Sequence, residues 1–235
     1  MKYKPLKISK GTLYAIVVAL SVTILIVSNI ASTKLFDFPL NGWFGTDLVW
    51  DGGVILFPLA YILDDIVTEI YGFRTARKIT LIAFAMNLIA VLALWIVQLL
   101  PPGSGWHNQA AYEAIIGFMP RLVAGSLIAY LVGQVINAFV FAKIKVATGG
   151  RRLWLRALGS DLVGNLFDSV IFTTIAFYGV ISSGQYVGLI LIAYISKTFF
   201  GAFFMPLTYL TVKFMKKITG NDHFDRQLKL RDIIR

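Results

Sequence analysis

Six stretches of the chain are each long and apolar enough to cross a lipid bilayer as a helix, since a bilayer core needs about 20 mostly apolar residues per helix. The stretches cover approximately residues 13–31, 54–71, 79–100, 121–142, 158–181 and 186–214. None alternates in polarity along short strands, as the strands of a membrane β-barrel do. The sequence therefore predicts an all-α integral membrane protein, a single domain over residues 1–235 built as a bundle of six transmembrane helices.

Most of the positive charge lies on one side of this predicted bundle. Nineteen of the 22 Lys and Arg residues precede the first stretch, lie at the end of the sixth or after it, or lie between the second and third or the fourth and fifth. Lys and Arg mark the cytoplasmic loops of membrane proteins, so both termini are predicted to be cytoplasmic. The net charge of +10 is interpreted as topology and contact with lipid head groups, and no nucleic-acid partner is expected.

Several classes of chemistry lack their residues in this sequence. The chain has no cysteine, which excludes disulfides, thiolate nucleophiles and cysteine metal sites. It has no glycine-rich phosphate loop followed by Lys-Ser or Lys-Thr, so ATP hydrolysis by the chain itself is not expected. His107 and His223 lack metal-ligand spacing with each other. We predict no enzyme activity, no catalytic residues, no bound metal and no cofactor.

Two connections on the predicted outer side contain turn residues and tryptophan. Residues 34–53 include Asp51-Gly52-Gly53, and residues 101–120 include Trp106 and His107. Both are interpreted as surface connections rather than as lids, and residues 110–118 are expected to form a short interfacial helix. The charged tail, residues 220–235, is expected to be helical or frayed on the cytoplasmic face.

Polar side chains recur at helical spacing inside the apolar stretches, where each ionised group costs about 2.5–3.5 kcal/mol at the bilayer centre. In the second stretch Asp65 and Glu69 are four residues apart and share a face, with Asp64 beside them. The remaining polar positions are Asn29, Asn87, Ser126, Tyr130, Gln134, Asn137, Asp161, Asn165, Asp168 and Lys197. We expect these faces to surround a common cavity, in which Lys197 pairs with Asp65 or Asp168. The alternative is that the amides and hydroxyls only join helices.

Such a cavity suits a small, flat, hydrogen-bonding solute. A carboxylate can accept from the adjacent N–H and NH2 groups of a guanine-like edge, and an amide can serve a neighbouring carbonyl. Aromatic faces can stack on the ring, at about 1–3 kcal/mol per base. Candidate aromatics are Tyr61, Tyr130, Phe167 and Phe172. These arguments leave a vitamin or an amino acid open as the ligand.

A set of short motifs extends over nearly all of the chain. The motifs are Ser28-Asn29, Phe57-Pro58, Asp65-Ile66, Tyr71-Gly72, Ala76-Arg77, Gly133-Gln134, Trp154-Leu155, Gly164-Asn165-x-x-Asp168 and Lys197 ahead of Pro206. As a set they resemble the queuosine precursor transporter family, also called a vitamin uptake family. The resemblance implies a multi-pass carrier of the inner (cytoplasmic) membrane that imports 7-deazaguanines for tRNA modification. These are 7-cyano-7-deazaguanine, 7-aminomethyl-7-deazaguanine and queuine.

The resemblance also implies which residues bind the substrate. They are Asn29, Asp65, Gln134, Asn165, Asp168 and Lys197. Tyr61 and Asn137 join these candidates because they belong to the polar and aromatic positions described above. One departs from the family pattern, because Asn137 stands where an aspartate is usual, and this loss of a negative charge bears on the choice between cationic and neutral precursors. Asp64 and Glu69 are assigned to coupling or gating.

Other functions remain compatible with the sequence. The chain would serve as the substrate-binding subunit of an ATP-driven module if the small residues Ala15 and Ala19 dock a partner helix, or it would carry another vitamin-like solute. An intramembrane enzyme would use Asp64, Asp65 and Glu69 to hold Mg²⁺ and a diphosphate, and a scaffold would not transport at all. A solitary carrier is favoured over all of these, and its size is compatible with a homodimer.

Overall fold

The computed structural model describes residues 10–37, 49–148 and 153–219. Its α-helices are α1 Lys10–Ala31, α2 Phe57–Tyr71, α3 Phe73–Gln98, α4 Gln109–Ile116, α5 Met119–Ala147, α6 Leu153–Phe177 and α7 Ser183–Thr219. Two strands, β1 Leu35–Asp37 and β2 Val49–Asp51, lie between α1 and α2, and a 3-10 turn at Gly52–Leu56 leads into α2. The predictions for residues 220–235 and for His223 concern residues outside these ranges.

The six long helices coincide with the six predicted stretches, and α4 is the predicted short helix of the second outer connection. Within the residues that the structure describes, four segments are long and apolar enough to cross a membrane, namely Gly11–Ala31, Arg74–Gln98, Gln109–Asn137 and Ser183–Phe204. The prediction of a helical, multi-pass membrane protein is thereby confirmed at this level. Helix α2 has only 15 residues, and α6 carries two aspartates, which is why neither meets the same criteria of length and apolarity.

A sharp corner separates α2 from α3 at the predicted Tyr71-Gly72 turn. Helix α2 ends at Tyr71, and Gly72 has a φ of 81°, a left-handed conformation that glycine adopts without the penalty of a Cβ. The carbonyl oxygen of Gly72 then accepts the N–H groups of Thr75 and Ala76, which starts α3. The glycine therefore lets two helices follow each other with a single residue between them.

Two of the apolar clusters in the bundle lie on either side of a cavity. One joins α1, α2 and α3 through Val17, Val67 and Ile79, and the other joins α5, α6 and α7 through buried side chains that include Leu122 and Phe177. Large apolar side chains elsewhere on the helices are exposed, as expected where a helix faces lipid. A cavity lies between the two clusters.

Helices α5 and α6 form an antiparallel pair in close contact. A Cβ added to Gly164 would lie only 3.1 Å from the Cβ of Asn137 and 3.4 Å from the carbonyl oxygen of Gly133. At the other end of the pair, the guanidinium of Arg121 donates to the backbone carbonyls of Ile175 and Tyr178 near the C-terminus of α6. Small residues permit this approach of two backbones, and it places Asp168 at the edge of the cavity.

The connection between α1 and α2 is partly an antiparallel hairpin, in which Leu35 of β1 lies opposite Asp51 of β2. Leu35 and Trp50 pack against the apolar cluster of α5, α6 and α7. Asp51 at the end of β2 is only 4% exposed. The interpretation of residues 34–53 as a surface connection is therefore wrong for this end of the segment, because the hairpin folds back onto the bundle. Residues 38–48 lie outside the described ranges.

Candidate functional site

The cavity between the two clusters has a volume of about 320 Å³, within the range of roughly 300–1,000 Å³ usual for small-molecule sites. Helices α1, α2, α3, α5, α6 and α7 all contribute to its wall, together with the end of β2. Its polar or aromatic lining residues are Ser21, Ser28, Asn29, Ser32, Asp51, Thr80, Ser126, Tyr130, Asp168, Phe172 and Lys197. The predicted convergence of several polar helix faces on one cavity is therefore confirmed for part of the predicted set.

An ion pair between α6 and α7 lies in this cavity. The ammonium of Lys197 donates to Oδ2 of Asp168, and the Lys197 side chain is 10% exposed against 27% for Asp168. The same ammonium lies 5.8 Å from the ring centroid of Phe172, within the range of a cation–π contact. The expectation that Lys197 pairs with a carboxylate is confirmed, and of the two candidates the structure shows Asp168 in that place.

Asn29 joins α1 to α5 at the cavity wall. It is 3% exposed, its Nδ2 donates to the carbonyl oxygen of Leu25 at 3.0 Å, and its Oδ1 accepts from the Ser126 hydroxyl at 3.1 Å. Tyr130 lies one turn further along α5 and contacts the ring of Phe84, with 5.4 Å between centroids. This side of the cavity therefore presents an amide, a hydroxyl and an aromatic face.

Three predicted binding residues, Gln134, Asn137 and Asn165, do not line the cavity. Gln134 donates to the Tyr130 hydroxyl at 2.7 Å, and Asn137 donates to Oδ1 of Asp161 at 2.8 Å. The close approach of α5 and α6 at Gly133 and Gly164 lies beside Asn137. The first of these hydrogen bonds lies within α5 and the second joins α5 to α6, and the predicted part of all three residues in substrate binding stays a prediction.

Helix α2 forms one wall of the cavity through Ala60, Leu63 and Val67. The side chains of four predicted site residues on this helix lie outside the described part of the structure, namely Tyr61, Asp64, Asp65 and Glu69. Their roles therefore stay predictions. Of the other predicted aromatics, Phe172 lines the cavity, whereas Phe167 is 44% exposed.

Asp51 is a cavity residue that the sequence analysis missed. Its Oδ1 accepts from the Ser32 hydroxyl at 2.6 Å and from the Gly53 N–H at 2.9 Å. Ser32 directly follows the last turn of α1. The hairpin therefore returns the carboxyl group of Asp51 to the C-terminal end of α1, the helix that precedes the hairpin in the chain. The Asp-Gly-Gly sequence directly before an apolar stretch could have indicated this contact, because two glycines allow one backbone segment to approach another closely.

Burial raises the pKa of Asp51 above its ordinary value of 3.8. The hydrogen bonds from Ser32 and Gly53 and the nearby ammonium of Lys197 act in the opposite direction, and burial outweighs them. A group with a raised pKa in the folded state binds its proton more tightly there than in the unfolded chain. Its contribution to stability is present at low pH and is lost as the pH rises through the folded-state pKa.

Replacing Asp51 with asparagine is therefore expected to raise the melting temperature of the protein at neutral pH, because the amide keeps both hydrogen bonds without a buried charge. At neutral pH the gain in stability over the wild type should be about 1.4 kcal/mol for each unit by which the pKa of Asp51 is raised. This gain should shrink as the pH falls toward 3.8, because the wild-type carboxyl is then protonated in the unfolded chain as well. Thermal melting in lipid nanodiscs across this pH range measures the difference. The exposed Asp37→Asn variant is the control and should show no such trend, and an Asp51→Asn variant less stable than wild type at neutral pH would contradict the prediction.

Among the residues whose side chains the structure describes, no group of three or more His, Asp or Glu side chains is placed to hold a metal ion. The cavity instead combines an ion pair, a second carboxyl, an amide, hydroxyls and two aromatic rings. This combination can bind a small polar molecule with a flat ring by hydrogen bonds at its edge and by aromatic contact at its face.

Comparisons with known proteins agree with this chemistry. Residues 51–211 match the family model described as "Putative vitamin uptake transporter". The chain is 32% identical over 171 residues to the "Probable queuosine precursor transporter" of Bacillus subtilis (strain 168), a match that covers 72% of this chain and 73% of that protein. It is 29% identical over 148 residues to the "Queuosine precursor transporter" of Escherichia coli (strain K12), covering 63% of each.

A third relative, the "Probable queuosine precursor transporter" of Haemophilus influenzae, is 26% identical over 126 residues, which is 54% of this chain and 51% of that protein. No solved structure matches the chain at a significant level. The family model covers more than half of the chain, and the match to the Bacillus protein covers more than two thirds of both proteins. The chain belongs to the vitamin uptake transporter family.

Proposed function

We propose that this protein is a carrier that imports queuosine precursors across the inner (cytoplasmic) membrane for tRNA modification. The proposed substrates are the 7-deazaguanines, among them the 7-cyano and 7-aminomethyl compounds and queuine. The names of its relatives support the substrate class. The observation that carries the proposal is the cavity, which places the Asp168–Lys197 pair beside Phe172.

The cavity suits a 7-deazaguanine for stated chemical reasons. The bicyclic ring is flat and can lie against the aromatic rings of Phe172 and Tyr130, and its edge has both donors and acceptors. An ion pair can bind both the donors and the acceptors of this edge, because its carboxylate accepts from N–H groups while its ammonium donates to a carbonyl. The remaining predicted ligands, above all Asp65, belong to the proposal as further candidates.

The proposed topology has six spans with both termini in the cytoplasm. Four segments of the described part of the chain are long and apolar enough to span a membrane. Helix α2 would be about 22 Å long at about 1.5 Å per residue, and the 3-10 turn before it adds about 10 Å, which together match a hydrocarbon core of about 30 Å. Helix α6 has 25 residues, and its two aspartates face Lys197 and Asn137 rather than being isolated in lipid.

Within the proposal the chain acts as a single-domain carrier and not as an enzyme. Its relatives are named transporters, and the polar groups described in the cavity have the features of a binding site. Lipid and the 7-deazaguanine are the proposed partners. Two alternatives concern assembly, a homodimer and a complex with an ATP-driven module. The mass of the purified carrier tests the first. Transport in cells that lack such a module tests the second.

The test uses cells that cannot synthesise 7-deazaguanine. Each precursor is supplied at nanomolar concentration, and queuosine is measured in tRNA with wild type, Asp168→Asn or the exposed control Asp37→Asn expressed to equal levels. Wild type and the control should restore queuosine, and Asp168→Asn should lower it by about tenfold or more, which corresponds to 1.4 kcal/mol or more. No uptake by well-inserted wild type would refute the proposed substrate class.

A further inference from the structure

The acidic and basic side chains among the described residues of the cavity do not balance in charge. They are Asp51, Asp168 and Lys197. The ammonium of Lys197 is hydrogen-bonded to Asp168. Asp51 lies near enough to Lys197 for that charge to lower its pKa, but its own hydrogen bonds within the described residues come from the neutral Ser32 hydroxyl and Gly53 N–H. One carboxylate therefore exceeds the positive charge of this set.

A buried carboxylate without a direct cationic partner is costly, because its ionised form has lost water without gaining an opposite charge. The cost is relieved when a proton or a cation arrives. Asp51 is 4% exposed and lines a cavity with room for a small molecule. A ligand that brings its own positive charge therefore gains from Asp51 an attraction that a neutral ligand of the same shape does not.

The carboxyl is also held in place before any ligand arrives. Two donors meet at Oδ1 of Asp51, at 2.6 and 2.9 Å, and the Gly52 N–H donates at 2.8 Å to the carbonyl oxygen of Lys34. The turn after β2 is thus attached to the chain that leaves α1. A pre-positioned acceptor discriminates between ligands more sharply than a mobile one, because no ordering cost offsets the contact.

We propose that Asp51 binds the ammonium group of the substrate and so makes the carrier select a cationic, aminomethyl-substituted 7-deazaguanine over the neutral cyano compound. This inference rests on the proposed function. A primary alkyl amine is protonated at neutral pH, as the lysine side chain is, and donates charge-assisted hydrogen bonds to a carboxylate. A nitrile has no proton to donate and presents a lone pair to the carboxylate oxygens.

The ion pair leaves Asp51 as the better acceptor for the ammonium. Asp168 already receives a cation from Lys197, and an added ammonium there would compete with that lysine. Asp51 is supplied by a different element, the outer hairpin, and it faces the same cavity. The ring and its substituent can then be recognised separately, the ring beside Phe172 and the substituent at Asp51.

The test compares three ligands on the same protein: the aminomethyl, cyano and hydroxymethyl 7-deazaguanines. The hydroxymethyl compound has nearly the size of the aminomethyl compound without its charge. Uptake of each is measured with wild type, Asp51→Asn and Asp37→Asn, and the ratio between ligands is compared within each variant, so differences in expression cancel. Wild type and Asp37→Asn should favour the aminomethyl compound by about tenfold or more. Asp51→Asn should reduce this ratio to near one.

Each outcome decides a separate question. An unchanged ratio in Asp51→Asn, or an equal loss of all three ligands, overturns the inference and assigns Asp51 to structure or to a coupling cation. If Asp51→Asn does not insert, the wild-type ratio of aminomethyl to hydroxymethyl uptake decides alone, and a ratio near one overturns the inference. Uptake of none of the ligands by inserted wild type refutes the proposed function, and the inference with it.

Discussion

Replacing Lys197 with methionine is expected to abolish uptake and to lower the free energy of unfolding by about 3 kcal/mol, the lower end of the range for breaking a buried ion pair. The variant leaves the Asp168 carboxylate without the cation that now donates to it. The lower end applies because Asp168 is 27% exposed and can gain some water from the cavity. Thermal melting in nanodiscs measures the stability, and queuosine in tRNA measures uptake.

A double variant, Lys197→Met with Asp168→Leu, separates the structural part of this pair from its function. Replacing both partners of a buried pair by apolar groups is often close to neutral for stability, so melting should return to within about 1 kcal/mol of wild type while uptake stays lost. Lys78→Met, which removes an exposed lysine from α3, is the matched control and should melt and transport normally. Recovery of uptake in the double variant would show that the pair only joins α6 to α7.

Alanine at Gly52 is expected to cause the second large loss. A Cβ there would lie 2.4 Å from the carbonyl oxygen of Ala31, which belongs to the backbone at the end of α1 and cannot rotate away. Forcing a methyl group into such a contact costs about 1–3 kcal/mol, and it pushes Asp51 away from the cavity. We expect a lower melting temperature and a severe loss of uptake in Gly52→Ala.

Gly53→Ala tests the same turn with a smaller structural change. Its Cβ would lie 2.3 Å from Oγ of Ser32 and 2.8 Å from Oδ1 of Asp51, so these side chains must shift, and we expect the hydrogen bond between them to be disturbed. Gly103→Ala is the matched control, because nothing lies within 4 Å of the Cβ it would add. Normal uptake by both Gly52→Ala and Gly53→Ala would mean that the hairpin has no part in the site.

The helices were predictable because their signals are local. The apolar length of α1 and α3, the turn at Tyr71-Gly72 and the short helix α4 each depend on residues near one another in sequence. The start of the second stretch was less accurate. The prediction has it near residue 54, whereas a 3-10 turn occupies Gly52–Leu56 before α2 begins, since the backbone there first packs against the end of α1.

The candidate site was predictable only in part. The pairing of Lys197 with a carboxylate follows from the cost of an isolated buried ammonium, and Asp168 was one of two choices. Helical spacing correctly put Ser126, Tyr130, Gln134 and Asn137 on one stripe, yet only the first two line the cavity. Spacing specifies the face of a helix and not the distance to its neighbour, and here α5 meets α6 beside Asn137.

Apolar length and helical period are local properties, and they suffice to identify a helical membrane protein with polar groups inside its bundle. Which of these groups share a cavity depends on how the helices pack against one another. Helix α6 meets α5 at Asn137, which hydrogen-bonds to Asp161 and does not line the cavity, and the hairpin of two three-residue strands returns Asp51 to the end of α1. Such strands are too short to carry a sequence pattern, and the burial of Asp51 depends on residues far from it in the chain.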